Sequence, residues 1–189
     1  RKYAWTIICT PLAVLLFVVI ISSSKSINQT PNIIIVMTDD QGYGDLGYNG
    51  NPIIKTKNLD QFASESINFT NYHVGTTCSP TRAGFITGRN CLRNGVWRTN
   101  AGCSLLNQDE VTIADLFSEA GYETGMFGKW HLGDNYSFLP EQRGFKETFY
   151  HKGGGVGQTP DYWNNNYQDD VYFRNGAVSY THLTLPTKA

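Results

Sequence analysis

The chain has 189 residues, enough for one ordinary domain with a hydrophobic core, so two full domains are not expected. Its 15 basic and 16 acidic residues give a net charge of -1, and this balance excludes the basic surface of a nucleic-acid-binding protein. A hydrophobic content of 40% with 13% aromatic residues excludes general disorder.

The first 25 residues have the layout of a secretory signal peptide. Arg1 and Lys2 precede an apolar run, which is uninterrupted over 12–21 and ends in serines at 22–24. An uncleaved membrane anchor is the alternative, because the whole run approaches the roughly 18 residues that make a spanning helix plausible. We therefore expect a secreted or periplasmic protein, with a membrane location only if this segment is retained. Residues 26–31 follow as a linker.

The next segments predict an α/β protein. Residues 32–38 (NIIIVMT) form a continuous apolar, β-branched run, which predicts a strand buried on both faces of a parallel sheet. A Gly-rich loop is expected over 42–50 and a short helix over 58–65, and residues 67–74 alternate like a second strand.

The clearest predicted helix covers 112–120. Thr112 and Asp115 have the spacing of a capping box, and Gly121 supplies the stop signal. A further strand is expected over 123–127. From Gly153 onward the chain is rich in Gly, Asn and Tyr, which is typical of loops.

Cys78 follows the predicted strand 67–74, and Pro80 suits the first turn of a helix. We therefore expect Cys78 at a helix N-terminus, where free N–H groups and the helix dipole favour negative charge. This position suits a reactive cysteine or an anion site, although a lone cysteine is more often a buried structural residue. Removal of the signal leaves an odd number of cysteines, and the sequence leaves open whether Cys91 and Cys103 pair.

Two segments of the chain, one of which begins at Cys78, resemble signatures of the sulfatase family. Residues 78–89 (CSPTRAGFITGR) resemble the signature in which Cys, Pro and Arg, at the spacing of Cys78, Pro80 and Arg82, direct oxidation of the cysteine to formylglycine. Residues 121–131 (GYETGMFGKWH) resemble a second signature of the family, and the Lys-Trp-His-Leu-Gly form at 129–133 is similar to its arylsulfatase-type branch.

A third feature, the acidic pair Asp39 and Asp40 after an apolar run, is similar to the metal pair of that family. The resemblance extends over 32–176 and implies the alkaline-phosphatase-like α/β fold, with a mixed, mainly parallel sheet flanked by helices. It also implies that 32–176 is the N-terminal part of a catalytic domain whose C-terminal subdomain is absent. Residues 177–189 fit nothing in the family and are interpreted as an appended, non-native tail.

The resemblance implies a sulfatase that hydrolyses sulfate monoesters by attack of a hydrated formylglycine at position 78, made by a formylglycine-generating maturation enzyme. By the same resemblance, Arg82 orients the hydrate, Lys129 binds sulfate oxygens and His131 transfers the proton of the second hydroxyl.

The resemblance also implies a metal ion, calcium in preference to magnesium. By resemblance, Asp39, Asp40 and residue 78 are its ligands, and carboxylates are the hard oxygen donors that such ions prefer. The resemblance also implies further metal ligands, a second active-site histidine and a second active-site lysine. None of these can be assigned to a residue of this sequence.

The expected substrate is a sulfated carbohydrate, or alternatively an aryl sulfate, because export places the enzyme among extracellular polysaccharides. The loop 151–167 is the predicted contact, since its aromatic rings can stack on sugars and its amides can bind hydroxyls. Those side chains are Tyr162, Trp163, Tyr167, Gln158, Asn164, Asn165 and Asn166. Two alternatives stay open: a phosphate mono- or diester hydrolase of the same superfamily, and an inactive fragment or glycan-binding pseudoenzyme.

Overall fold

A computed structural model describes residues 30–100, 104–158, 164–167 and 170–181. The chain divides into two compact units, residues 1–38 and 39–189. The described elements are helices α1 (Lys57–Ser64), α2 (Cys78–Thr87), α3 (Cys91–Asn94) and α4 (Ile113–Glu119), 3₁₀ helices Tyr43–Asp45, Gly47–Asn49 and Pro140–Gln142, and strands β1 (Gly125–Lys129), β2 (Glu147–His151), β3 (Asp170–Arg174) and β4 (Ala177–Thr181).

The four strands form one mixed sheet in the order β1-β2-β3-β4. Strands β1 and β2 are parallel, with Lys129 opposite His151 at their carboxyl ends. The β2–β3 and β3–β4 pairs are antiparallel. The mixed α/β class is confirmed, but among the described strands antiparallel pairing predominates over the parallel pairing that we expected. One cause is the two-residue turn Asn175-Gly176, whose positive φ angles of 48° and 79° reverse the chain directly.

Two predicted strands are wrong in the described structure. Residues 32–38 and 67–74 belong to no strand. Their apolar side chains are exposed, with Ile34 at 87%, Val36 at 83% and Ile67 at 88%. A strand must satisfy its backbone N–H and C=O groups through a neighbour, and the described sheet provides no neighbour for either segment.

Two predicted helices and one predicted strand are confirmed. Helix α4 begins after the N-cap Thr112, whose Oγ1 accepts a 3.2 Å hydrogen bond from the Asp115 amide. The Asp115 carboxylate accepts in return from the Thr112 amide at 2.8 Å. Helix α1 and strand β1 also form, each within two residues of its predicted bounds.

In the buried core, helix α2 packs against the segment between α3 and α4, the residues that follow β1, and the sheet. The buried apolar members of this core are Ala83, Val96, Leu106, Trp130, Leu132, Tyr150 and Phe173. Arg143 is also buried, and its guanidinium donates hydrogen bonds of 3.0 Å to the carbonyls of Leu106 and Gln108. This arginine thereby ties the segment before α4 to the segment that leads into β2.

Several predicted features lie outside the described residues. These are the signal peptide over 1–25, Cys103 with its possible disulfide, and the aromatic pair Tyr162 and Trp163. Among the residues that the structure describes, no helix has both the length and the apolar character needed to cross a bilayer. Residues 177–181 of the segment interpreted as a tail form strand β4, and its non-native origin stays a prediction.

We predict that Thr112→Ala lowers the free energy of unfolding by about 1–2 kcal/mol. The fully buried Thr112 hydroxyl caps α4 and donates a 2.8 Å hydrogen bond to the Arg143 carbonyl, so alanine loses both contacts. Urea unfolding of the variant measures this loss. Thr112→Ser keeps the hydroxyl and is expected to restore most of the stability, and the exposed Thr76→Ala serves as the control. Equal stability of the Thr112→Ala and Thr76→Ala variants would contradict the assignment.

Candidate active site

Helix α2 presents Cys78 at its first position. Thr77 is the N-cap in an extended conformation, and Pro80 occupies the first turn, where it loses no helical hydrogen bond. Ser79 and Pro80 are buried, while Cys78 is half-buried. The expected helix N-terminus at Cys78 is therefore confirmed, and the sulfur lies where the helix dipole favours an anion.

Strand β1 carries the second group of predicted residues at its carboxyl end. Lys129 is its last residue, and His131 follows two positions later with a left-handed φ of 61°. The flanking Trp130 and Leu132 are buried in the core. The His131 amide donates to the Lys152 carbonyl at 3.1 Å. Because a non-glycine residue rarely adopts this conformation, the buried neighbours and this hydrogen bond must hold it there.

The His131 ring joins the two elements. Its Nδ1 lies 3.3 Å from the Cys78 sulfur, and its Nε2 lies 3.2 Å from the Thr99 carbonyl oxygen. A carbonyl can only accept, so Nε2 carries the hydrogen and Nδ1 presents its lone pair to residue 78. Burial, and then the positive charges of Lys129 and Arg82, hold the pKa of His131 below its ordinary value. The ring is thus a neutral proton acceptor aimed at Cys78.

Asp39, Lys129 and Arg82 form a charged group beside this pair. The Lys129 ammonium lies 2.8 Å from one Asp39 carboxylate oxygen and 3.1 Å from the other. Arg82 donates to Asp39 at 3.4 Å and to the Lys129 carbonyl at 2.6 Å. Partial burial acts to raise the pKa of Asp39, but hydrogen bonds and charge from the two cations outweigh it and leave this pKa below its ordinary value. Asp39 therefore stays ionised.

The structure brings five of the six predicted residues together: Asp39, Cys78, Arg82, Lys129 and His131. The sixth, Asp40, is exposed with a left-handed φ of 54°, and no described contact joins it to the other five. Asp39 was expected at the end of a strand over 32–38, and it reaches Lys129 although that strand is absent. The roles assigned to these residues remain predictions.

Two further backbone groups position His131, and neither was predicted from the sequence. One is the Thr99 carbonyl. The other is Gly154, where an added Cβ would lie 2.7 Å from Cε1 and 3.1 Å from Nε2 of the His131 ring. A main-chain carbonyl leaves no signal in a sequence. The run of three glycines at 153–155 was a signal, because glycine is required where backbone approaches another group closely.

The predicted glycan loop is described only in part. Tyr167 is 78% exposed, in keeping with a surface contact. Asn165 is buried, and its amide exchanges hydrogen bonds of 3.0 Å and 2.9 Å with the backbone of Val171. The prediction that Asn165 binds sugar hydroxyls is therefore wrong, since its amide holds the loop against β3.

The acidic residues fit a calcium ion in chemistry but supply only part of a site. Asp39 and Asp40 offer hard carboxylate oxygens, and Asp39 keeps its negative charge beside two cations. Calcium takes roughly 6–8 oxygens, which exceeds what two carboxylates and residue 78 provide. Within the described ranges, no group of three or more His, Cys, Asp or Glu side chains could hold a metal ion.

We predict that Gly154→Ala changes the tautomer balance of His131. The new methyl group would overlap the ring and displace it from the Thr99 carbonyl, which selects the Nε2–H form. Nitrogen-15 NMR of the imidazoles should show one tautomer of His131 in the native protein and a mixture in the variant. Gly44→Ala is the control, because a Cβ there meets nothing within 4 Å. A native His131 protonated on Nδ1 would refute the arrangement.

Comparison with known proteins identifies the family to which this chain is similar. The sulfatase family profile matches residues 31–186. Human arylsulfatase G is 45% identical over 146 residues, which cover 74% of this chain and 28% of that protein. The chain thus spans under a third of the length of this relative.

Solved structures show the same fold. The crystal structure of Ps i-CgsB aligns with a TM-score of 0.70 and 30% identity, over 81% of this chain and 38% of that one. Its complex with k-i-k-neocarrahexaose aligns with a TM-score of 0.68 and 31% identity, over the same shares of the two chains. With most of its length matched by the family profile, the chain belongs to the sulfatase family.

Proposed function

We propose that this chain forms the nucleophile-bearing part of a sulfatase that hydrolyses sulfate monoesters. The single observation that carries the proposal is the 3.3 Å contact between the Cys78 sulfur and His131 Nδ1 at the N-terminus of α2. Lys129 and Arg82 add two positive charges beside it. A helix N-terminus, two cations and a neutral proton acceptor suit an anionic ester.

Position 78 supplies the nucleophile in this proposal. Its sulfur occupies the place of the hydrate oxygens of formylglycine. After oxidation by a formylglycine-generating enzyme, one hydroxyl of the hydrated aldehyde attacks the sulfur of the ester and displaces the alcohol, so that the sulfate is bound to residue 78. Loss of the proton of the second hydroxyl then re-forms the aldehyde and releases the sulfate. His131 accepts that proton at Nδ1, because Nε2 already donates to the Thr99 carbonyl.

The cations orient and neutralise the sulfate group. The Lys129 side chain is only 8% exposed. Because its ammonium is largely shielded from water, it interacts strongly with nearby charges. Arg82 donates to the Lys129 carbonyl through Nη1, which holds Nη2 against Asp39. Asp39 and Asp40 would hold calcium, which would supply further positive charge for the sulfate oxygens.

Turnover measurements on the complete protein test the proposal. We expect release of sulfate from an aryl sulfate to exceed release of phosphate from the matching aryl phosphate, and Cys78→Ala to lower turnover by roughly 10³-fold or more. Mass spectrometry should find an aldehyde at position 78 and none at Cys91, the internal control. Preference for phosphate would favour the phosphate-hydrolase alternative. An active preparation whose Cys78 is an unmodified thiol would refute the mechanism.

Removal of calcium is expected to abolish turnover, and its return to restore it. Asp40→Asn should raise the calcium concentration that gives half of full activity by about tenfold or more, because a charged oxygen ligand is lost. Calorimetric calcium titration gives the same comparison without substrate. The exposed Asp109→Asn is the matched control. Full activity after exhaustive chelation would show that no calcium is required.

A sulfated carbohydrate is the substrate class in this proposal, and the protein is exported by its N-terminal segment. Support comes from the neocarrahexaose bound to Ps i-CgsB, whose fold this chain shares. Further support comes from Gln158 and Tyr167, which lie against Gly155, next to the glycine that packs on His131. This part of the loop is therefore close enough to the nucleophile to contact the sugar that carries the ester.

A further inference from the structure

We infer that Trp97 and Arg98 form a subsite for a second anionic group of the substrate, a sulfate or carboxylate on the saccharide next to the hydrolysed ester. The inference rests on the proposed function and extends it to substrate choice. It concerns a segment that lies outside the signatures by which the family resemblance was recognised.

Backbone contacts hold these two residues at the rim of the site. On one side, Val96 is fully buried, and its amide donates to the Asn94 side chain at 3.1 Å. On the other side, the Thr99 carbonyl accepts from His131 Nε2 at 3.2 Å. Neighbouring Cα atoms are about 3.8 Å apart, so Arg98 begins one residue from a direct contact with the proton acceptor. The segment cannot move away from the site without breaking one of these anchors.

The side chains of the two residues lie at the surface rather than in the core. Trp97 is 49% exposed although its neighbour Val96 is fully buried. The Arg98 guanidinium lies 5.4 Å from the centre of the Trp97 ring, a cation–π arrangement that limits the freedom of both side chains. In the described part of the chain, Arg82, Arg89 and Arg174 each pair with a carboxylate, whereas no such pair includes Arg98.

This combination matches the chemistry of an anionic sugar. A guanidinium that is already oriented on an aromatic ring binds sulfate or carboxylate through two parallel N–H donors, with little further loss of side-chain entropy. The exposed part of the indole can pack against a sugar ring. A saccharide whose scissile sulfate lies between residue 78 and Lys129 would extend past His131 and Thr99 toward these groups. A neutral or aryl substrate has nothing to offer Arg98.

The test compares three substrates of the complete enzyme: a disaccharide with one sulfate, the same disaccharide with a second sulfate, and the monosulfated form with a carboxylate on the adjacent sugar. For the native enzyme we expect kcat/KM to be higher for the two dianionic substrates. Arg98→Ala should lower that preference by about tenfold, mainly through KM, and Arg98→Lys should restore only part of it. The substrate that loses more identifies the second anion as sulfate or carboxylate.

Control variants separate a binding role from a structural one. Arg93→Ala removes another exposed arginine from the same stretch and should keep the full preference. Trp97→Phe should keep most of the preference and Trp97→Ala should lose it. An unchanged preference in Arg98→Ala, while the enzyme still releases sulfate, overturns this inference alone. Absence of sulfate release from all three substrates by the native enzyme overturns the proposed function itself.

Discussion

The position of the His131 ring is the constraint on which the rest of the site depends. The ring contacts Cys78 through one nitrogen and the Thr99 carbonyl through the other, and the Gly154 backbone limits where it can lie. Each contact connects a different part of the chain: helix α2, the segment after α3 and the loop after β2. The left-handed backbone of His131 lets the chain turn out of β1 so that one residue meets all three.

The charges around Asp39 explain why this arrangement suits an anion. Two cations share one carboxylate, so the group formed by Asp39, Lys129 and Arg82 keeps a formal charge of +1. Burial, and then the charges of Lys129 and Arg82, lower the pKa of the neighbouring His131. The surplus charge and the dipole of α2 attract a negatively charged ester to the same place. Asp39, whose oxygens now accept from Lys129, would also hold calcium together with Asp40, and calcium would add positive charge for the substrate.

The parts of this structure that the sequence predicted are those whose cause is local or chemical. Thr112 and Asp115 specify the start of α4 within four residues, and that helix formed as expected. The residues that met at the site were predicted because they stand in segments that resemble the signatures of the sulfatase family. The strands predicted at 32–38 and 67–74 failed because a strand is completed by a partner, and partner choice is not encoded in the segment itself. Thr99 was missed because its contribution is a main-chain carbonyl.

The exposed apolar residues of this chain differ in the cause of their exposure. Ile34 and Ile67 lie in segments that have strand-like composition but belong to no described strand, and both side chains are exposed. Trp97 differs, because its segment is already anchored at both ends, to the core and to His131, and needs no strand partner. Its exposure is therefore not explained by the lack of a strand partner. The Arg98 guanidinium lies on the Trp97 ring, next to a site that attracts anions. An indole that orients this cation for an anionic ligand has to lie at the surface.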